Sequence, residues 1–386
     1  MSEIKVNSIK GVGASTAAIT VNNSDGTATA NLTNRQGKNL VVNGACNISQ
    51  RSTSSTANSY ATVDRMSLGE GGLDETCTQA QVDVASGTSP YTSGFRKAYK
   101  ITNGNQTSGA GATDFIRFEY RIEAQDIANS GWNYTDSNSK ITIQFWVKSS
   151  VAQNFYFILN STDGTARSFP METGSLSADT WTKVTKTISG DSNLTFDNNN
   201  ETGLTLFFYL YLGTSYANNS VSLNAWRNVA NPQTPTNTTT WFTTNDATWE
   251  ITGLQLEVGS VATEFEHLSR QDDYLRCARY FQGLGGTRNY FVGRTSNTDG
   301  LHTSPSCPVP MRATPTISGG GSYELFSSSG QGSSSTTPTV DAYSGRDFDQ
   351  CFLGNVFFTL ASGTYCSDAR VGVVRIADTI NFDSEL

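Results

Sequence analysis

The side chains that could carry out catalysis are few and stand apart from one another. The sequence has two histidines, His267 and His302, and no G-x-S-x-G, H-E-x-x-H or glycine-rich phosphate-binding motif. A hydrolase needs a nucleophile beside a base, or two carboxylates that meet in the folded chain. The second arrangement stays an open alternative. The motifs predict no catalytic residues, no metal site and no cofactor, so we expect a protein that is not an enzyme.

Aromatic side chains at alternate positions form a different kind of candidate site. Phe207, Tyr209 and Tyr211 alternate with an apolar row that runs from Leu204 to Leu212. In a strand, the three rings would share the face opposite that row. Flat rings suit the C–H faces of pyranose sugars, so these residues are candidates for glycan binding. The alternative is that the rings pack beneath a loop or against a neighbouring subunit.

Loops supply the remaining glycan-binding candidates. Three polar stretches are typical of exposed loops on a C-terminal unit: Ser296–Ser306, Ser327–Thr337 and residues 343–349. Their side chains best suited to sugars are Tyr343, Arg346, Asp347 and Asp349, which offer a ring, a donor fork and two acceptors. Trp132, Tyr134 and Trp226 in loop-like stretches are further candidates. The alternative is that the C-terminal loops only expose polar groups to solvent.

Oxygen and sulfur ligands are present but lack a characteristic spacing. Asp197, Asn199 and Glu201 alternate in an Asn-rich loop, which suits either a solvated turn or a calcium ion, although the full calcium-loop pattern is missing. The six cysteines include no C-x-x-C pair. We expect buried free thiols, with a Cys351–Cys366 bridge across a hairpin as the alternative.

Many short strands must position these residues. Charged residues make up 16% of the chain and aromatic residues 11%, and Gly, Ser, Thr and Asn are abundant. Alternating apolar patterns recur at residues 116–122, 141–147, 181–188 and 204–212, and residues 155–159 are apolar on both faces. Strands at this spacing, joined by polar turns, predict an all-β fold with a central antiparallel sandwich.

The stretch from Trp249 to Phe281 is expected to close this sandwich. Apolar residues alternate from Trp249, and the alternation shifts by one position at Gly253, which is typical of a β-bulge. The apolar row continues through Leu254, Leu256 and Val258. Ser269 can then cap a short helix. The apolar face predicted for that helix consists of Tyr274, Cys277, Ala278 and Phe281.

These patterns divide the chain into five segments. Residues 1–39 hold too few apolar side chains for a core of their own and need a partner. Residues 40–66 form a connecting β segment. In it, Asn43-Gly44 predicts a tight turn between two apolar strands. The sandwich follows at residues 67–268, a linking helix at 269–282 and a small β domain at 283–386.

Several blocks, taken in order, resemble tail-fibre proteins of marine tailed phages, including those of cyanobacteria. They are residues 251–263, 265–267 and 277–281, together with 38–51, 60–65, 308–317 and 382–386. The family usually has proline, arginine and glutamine where this chain has Glu264, Leu268 and Ala278. These three departures leave the strand and helix patterns intact.

The resemblance implies a receptor-binding fibre, a homotrimer whose central domain is a jelly roll like that of many carbohydrate-binding modules. Residues 1–39 would attach to tail proteins in the adaptor or nozzle region, and the chain would adhere to host-surface polysaccharide. Such a protein is made in the host cytoplasm and works in the virion tail. One alternative is a purely structural virion component, such as a tail connector or capsid decoration. Another is a free carbohydrate-binding module, which would not need residues 1–39.

Charge and hydropathy argue against two other classes of partner. The formal net charge is −8 and no stripe of lysine and arginine occurs, so we expect no nucleic-acid binding. No apolar run is long enough to span a bilayer, so we expect no membrane insertion.

Overall fold

Antiparallel strands dominate the computed structural model of this chain, as the alternating sequence patterns predict. The structure describes residues 6–12, 19–21, 28–30, 37–284, 289–296, 300–303, 306–319, 323–327, 330–334, 339–341, 355–359, 371–376 and 379–386. The all-β fold class is confirmed, because strands outnumber the helices in every part that is described.

The elements follow one another in this order. The N-terminal and sandwich strands are β1 (Ser8–Ile9), β2 (Ile19–Val21), β3 (Ala28–Ala30), β4 (Ser54–Ser55), β5 (Ser67–Gly71), β6 (Thr78–Asp83), β7 (Lys97–Thr102), β8 (Phe115–Glu123), β9 (Lys140–Ser149), β10 (Asn154–Ser161), β11 (Arg167–Ser175), β12 (Thr182–Ser189), β13 (Thr202–Leu212), β14 (Arg227–Asn228) and β15 (Thr248–Val258). The C-terminal strands are β16 (Phe281–Leu284), β17 (Asn289–Ser296), β18 (Gly300–Thr303), β19 (Thr316–Gly319), β20 (Tyr323–Ser327), β21 (Gly330–Ser334), β22 (Thr339–Asp341), β23 (Asn355–Thr359), β24 (Val371–Ile376) and β25 (Ile380–Asp383). The helices are α1 (Ser89–Thr92), α2 (Ala124–Ala128), α3 (Thr240–Thr243) and α4 (Arg270–Ala278).

Two six-stranded antiparallel sheets form the central jelly-roll-like sandwich. The first sheet has the order β14-β11-β10-β13-β8-β5 and the second the order β12-β9-β15-β7-β6-β4. The chain crosses repeatedly between them, and rings from both meet in the core. Phe208 of β13 lies 5.1 Å from Phe145 of β9 and 5.2 Å from Phe118 of β8, centroid to centroid. Alternation along each strand places these apolar side chains inward.

The closing strand β15 contains the predicted bulge. Gly253 has φ +66°, and the register against β9 shifts between Thr252 and Gln255. Leu256 beyond the bulge is fully buried, as is Leu254. Val258 departs from the prediction, since it lies at the end of the strand with 39% of its surface exposed.

The linking helix α4 is capped as predicted, because the Ser269 hydroxyl accepts a hydrogen bond from the Asp272 backbone N–H at 3.1 Å. Cys277 and Ala278 are buried on its inner face. The prediction was wrong for two residues of this face. Phe281 lies in β16 rather than on the helix, and Tyr274 is exposed.

One prediction for the segment 37–50 was wrong, namely the two strands. Asn43-Gly44 is a turn, but no strands flank it. Amide side chains hold the segment instead. Asn39 Nδ2 donates to the Leu254 carbonyl at 3.2 Å, and Asn39 Oδ1 accepts from the Leu256 N–H at 3.1 Å. Asn43 Nδ2 donates to the carbonyls of Ile48 and Asp64, both at 2.9 Å.

A buried ion cluster joins the sandwich to the linking helix and the C-terminal residues. Arg65 is fully buried, pairs with Glu385, and stacks 3.5 Å from the Tyr280 ring centroid. Glu123 accepts two hydrogen bonds from Arg279, at 2.7 and 2.8 Å, and one from the Tyr280 hydroxyl at 2.6 Å. The cluster therefore brings segments that are far apart in sequence into direct contact.

The C-terminal residues form two further sheets. A three-stranded sheet has the order β16-β25-β19, and a seven-stranded sheet the order β21-β20-β24-β17-β18-β23-β22. Two predicted loops are partly strand. Residues 296–306 contain β18, whose Leu301 is fully buried, and residues 327–337 contain β21. Their Gly and Ser content is compatible with strands because neighbouring strands supply the hydrogen bonds.

The N-terminal strands β1, β2 and β3 form a separate three-stranded sheet. Ile9 of β1 exposes 54% of its surface, and Val6 just before the strand exposes 44%. Among the residues that the structure describes, no helix combines the length and the hydropathy that crossing a membrane requires.

Candidate functional site

The outer surface of the first sheet carries the candidate glycan-binding face, which we call the Phe207 face. Register places Tyr156 between Glu172 of β11 and Tyr209 of β13, and Tyr209 beside Arg117 of β8. The next row has Ile158 between Pro170 and Phe207, with Glu119 beyond. The face thus combines rings with charged side chains on a rigid sheet.

Phe207 is the predicted ring that stays accessible. It is half-buried, and the Arg117 guanidinium carbon lies 4.8 Å from its ring centroid. Tyr156, a half-buried ring two strands from Arg117, extends the aromatic area. Sequence reasoning did not single out Tyr156, because it sits in a run that is apolar on both faces.

Tyr209 points to the predicted outer face but is covered. Its hydroxyl donates to Gln233 Oε1 at 2.5 Å, and Ala217 and Tyr216 pack around it. Burial raises the pKa of the Tyr209 hydroxyl above its ordinary range. The loop that follows β13 therefore covers this ring, which is the packing alternative left open by the sequence.

Tyr211 has the opposite orientation to the one predicted. The register between β13 and β8 shifts between Tyr209 and Tyr211, so Tyr211 turns into the core. There its ring lies 4.3 Å from that of Phe242. Leu212 takes the outer position in its place. A bulge without a glycine leaves no signal in the apolar pattern.

Polar groups around Phe207 are held in fixed positions. Glu119 is buried and pairs with Arg117 at 2.5 Å and with Arg121 at 3.2 Å. Asn160, on the same face two residues along β10 from Ile158, is also buried. Its Oδ1 has no hydrogen-bond partner among the residues that the structure describes. The alternation of Arg117, Glu119 and Arg121 with apolar residues was the available signal for this polar row.

The other predicted candidates fall into two groups, those outside the described residues and those packed away from this face. Tyr343, Arg346, Asp347 and Asp349 lie outside the described residues, as does the Cys351–Cys366 pair. Trp132 is buried, and Trp226 Nε1 donates to the Ser189 carbonyl at 2.6 Å. Both tryptophans therefore pack within the sandwich.

The Asn-rich loop forms hydrogen-bonded turns. Asn199 Oδ1 accepts from the Glu201 N–H, and the Asp197 N–H donates to Asp163, both at 3.0 Å. Among the described residues no group of three or more His, Cys, Asp or Glu side chains is close enough to hold a metal ion. Cys46 is a buried free thiol, and burial raises its pKa to about 12.

The sequence matches no protein-family model and no curated protein, whereas the fold has neighbours among solved structures. One is the enzymatically active domain of bacteriophage CBA120 tailspike protein 4, with 8% identity and a TM-score of 0.30, over 57% of this chain and 22% of that chain. A putative sugar binding protein from Bacteroides thetaiotaomicron has 12% identity and a TM-score of 0.30, over 57% and 100% of the chains. TmCBM61 in complex with β-1,4-galactotriose has 10% identity and a TM-score of 0.26, over 58% and 100%. Scores this low do not decide what this chain binds.

Proposed function

We propose that this chain is a phage tail-fibre protein that adheres to a host-surface glycan through the Phe207 face. The observation that carries the proposal is a half-buried but accessible ring on a sheet, surrounded by charged and amide groups. The ring of Phe207 would stack on the C–H face of a pyranose. Arg117 would donate to sugar hydroxyls and Glu172 would accept from them, while Asn160 Oδ1 takes a further hydroxyl hydrogen.

We assign attachment to the virion to the N-terminal residues of the chain. Ile9 of β1 and Val6 just before it expose apolar side chains, which would be covered in a homotrimer docked on tail proteins of the adaptor or nozzle region. Each sugar contact is weak, so several copies on one particle would supply the adhesion. We propose binding without catalysis, and a location in the virion tail after synthesis in the host cytoplasm.

Two alternatives make different predictions. A purely structural virion component, such as a tail connector or capsid decoration, would not need a ligand-accessible ring on the Phe207 face. Adhesion through the C-terminal loops would instead depend on Tyr343, Arg346 and Asp349.

Adsorption of otherwise identical particles to host cells tests these possibilities. Phe207→Ala should reduce the adsorption rate at least about tenfold, because every copy on the particle would bind its sugar without the stacking ring, and these effects multiply. Tyr274→Ala, which removes an exposed ring on α4, is the matched control and should adsorb normally. The fibre content of each particle is measured in parallel.

Normal adsorption by Phe207→Ala particles with a full complement of folded fibres would contradict the proposal. A defect confined to the triple variant Tyr343→Ala, Arg346→Ala, Asp349→Ala would assign adhesion to the C-terminal loops.

A further inference from the structure

A second cleft lies on the outer surface of the other sheet, and we call it the Trp146 cleft. Its volume is about 520 Å³. One wall is the loop at residues 92–95, and the other is the segment 260–267, which folds back over β15. Trp146 and Gln144 of β9, two residues apart, rise into it from the same face of the strand.

Aromatic packing fixes the end of the cleft. The ring of Phe265 lies 4.8 Å from that of Phe95, and the ring of His267 lies 5.0 Å from both, centroid to centroid. His267 Nε2 also contacts the Ser93 carbonyl oxygen at 2.9 Å. The bulge glycine of β15 makes room for this packing, since a Cβ at Gly253 would lie 2.6 Å from Phe95 Cζ.

Hydrogen bonds fix the wall formed by the segment 260–267. The Glu257 carboxylate accepts from the Thr263 N–H at 2.8 Å and from its hydroxyl at 2.6 Å. Gln255 Oε1 accepts from the Glu266 N–H at 2.8 Å. The segment 260–267 is therefore tied to the sheet, and the cleft is formed before any ligand arrives.

One polar atom in this cleft lacks a partner. Gln144 is only 2% exposed, and its Nε2 donates to the Thr263 carbonyl at 2.5 Å, which fixes the orientation of the amide. Its Oε1 accepts no hydrogen bond from any residue that the structure describes. A buried acceptor without a donor is costly to a fold and marks a position that a ligand donor can fill.

We propose that the Trp146 cleft binds a pyranose residue. The half-buried indole of Trp146 stacks on the C–H face of the sugar, and a ring hydroxyl donates to Gln144 Oε1. Trp146 and Gln144 are about 7 Å apart along the strand, so one ligand can contact both. Lys183 of β12 lies beside Trp146 on the neighbouring strand and is exposed at the rim, where it donates to an outer oxygen of the same sugar.

This site goes beyond the proposed function, because it lies on the opposite sheet from Phe207 and rests on different residues. With both sites, one chain would hold two sugar segments, on opposite faces of the sandwich. A single fibre could then cross-link a glycan layer by binding it at two sites instead of one.

Fluorine NMR of the full chain labelled with 5-fluorotryptophan tests the site. The Trp146 resonance is assigned by its disappearance in Trp146→Phe. The probes are the methyl β-pyranosides of glucose, galactose, mannose and xylose, and sorbitol is the control, since it has hydroxyl groups but no rigid ring. We expect at least one pyranoside to shift the Trp146 resonance to saturation, with no such shift from sorbitol. Absence of a saturable shift with all four pyranosides, or an equal shift with sorbitol, would overturn the proposal.

Two variants separate this inference from the proposed function. Gln144→Leu should raise the half-saturating pyranoside concentration at least about tenfold, the effect expected when a buried hydrogen bond is removed. The remaining tryptophan resonances report whether that variant is folded, and an unchanged half-saturation in the folded variant would overturn the role of Gln144. Phe207→Ala should leave the Trp146 titration as in the unaltered chain. The Trp146 titration and particle adsorption can therefore fail independently.

Discussion

At the scale of single residues, buried charges hold distant segments together. Arg65 and Glu385 are 320 positions apart in sequence, yet they pair directly. Asp64 and Arg65 are neighbours in sequence but have different partners. Asp64 accepts from the backbone and side chain of Gln50, at 2.9 and 2.6 Å. The identity of such partners could not be predicted, because a single carboxylate carries no local periodic signal.

The pH dependence of stability follows from Glu123. Burial alone would raise the pKa of its carboxyl, but hydrogen bonds from Arg279 and Tyr280 outweigh burial and lower that pKa below the ordinary 4.5. A lowered folded-state pKa contributes stability that is present above the unfolded pKa and is lost as pH falls through the folded one. Glu123→Gln should therefore cost about 2–3 kcal/mol at neutral pH, because it removes hydrogen bonds to a charged acceptor.

Urea unfolding of both chains at a series of pH values checks this prediction. The difference in free energy of unfolding between them should shrink as pH falls below about 4.5. Titrating groups away from Glu123 contribute equally to both chains and cancel in this difference. Glu264→Gln, at an exposed position, is the control and should stay within about 0.5 kcal/mol of the original chain. A difference that does not change with pH would show that the charge of Glu123 is not what stabilises the junction.

At the scale of strands and helices, sequence periodicity succeeded where apolar alternation is strong. β8, β9, β10, β12 and β13 all lie where the pattern predicts them. β5, β6, β7 and β11 were missed. Their apolar residues are few, or are interrupted by Gly, Gln, Thr and Ser, so the alternation is too short to predict a strand from sequence.

The two bulges illustrate the same limit. The bulge in β15 was predictable, because Gly253 occupies a positive-φ position and interrupts the apolar row. The register shift in β13 between Tyr209 and Tyr211 has no glycine, and it moved Tyr211 from the predicted binding face into the core. For the candidate site, sequence therefore identified Phe207 but could not decide which neighbouring rings are covered.

Leu256 and Val258 provide a matched test of β15. Leu256→Ala should lower the free energy of unfolding by about 2–5 kcal/mol, because it leaves a cavity in the core between the sheets. Val258→Ala removes apolar atoms two residues later on the same strand, where 39% of the side chain is exposed, and should cost less than about 1 kcal/mol. Chemical denaturation monitored by tryptophan fluorescence measures both. Equal destabilisation by the two variants would contradict the placement of the end of β15.

At the scale of the whole molecule, the C-terminal residues pack against the middle of the chain. β25 pairs with β16 directly after the linking helix, and the Leu386 backbone oxygen accepts from Arg121 of the first sheet. The C-terminal unit therefore begins and ends beside α4. The sequence pattern held no information on this closure. At the N-terminal sheet, by contrast, Val6 and Ile9 are exposed among the residues that the structure describes.

Sedimentation equilibrium of the full chain tests what covers that N-terminal sheet. If three copies bury Val6 and Ile9 against one another, the measured mass should be three times the 41.6 kDa of one chain. Replacing both with aspartate should reduce the mass, because three carboxylates brought together in an apolar interface repel one another and lose hydration. Ser8→Asp adds a charge to the same exposed strand without removing apolar area, so it should leave more of the trimer intact than the double variant. A monomer at micromolar concentration in the unaltered chain would contradict the trimer, and with it the multivalent adhesion that three linked copies would provide.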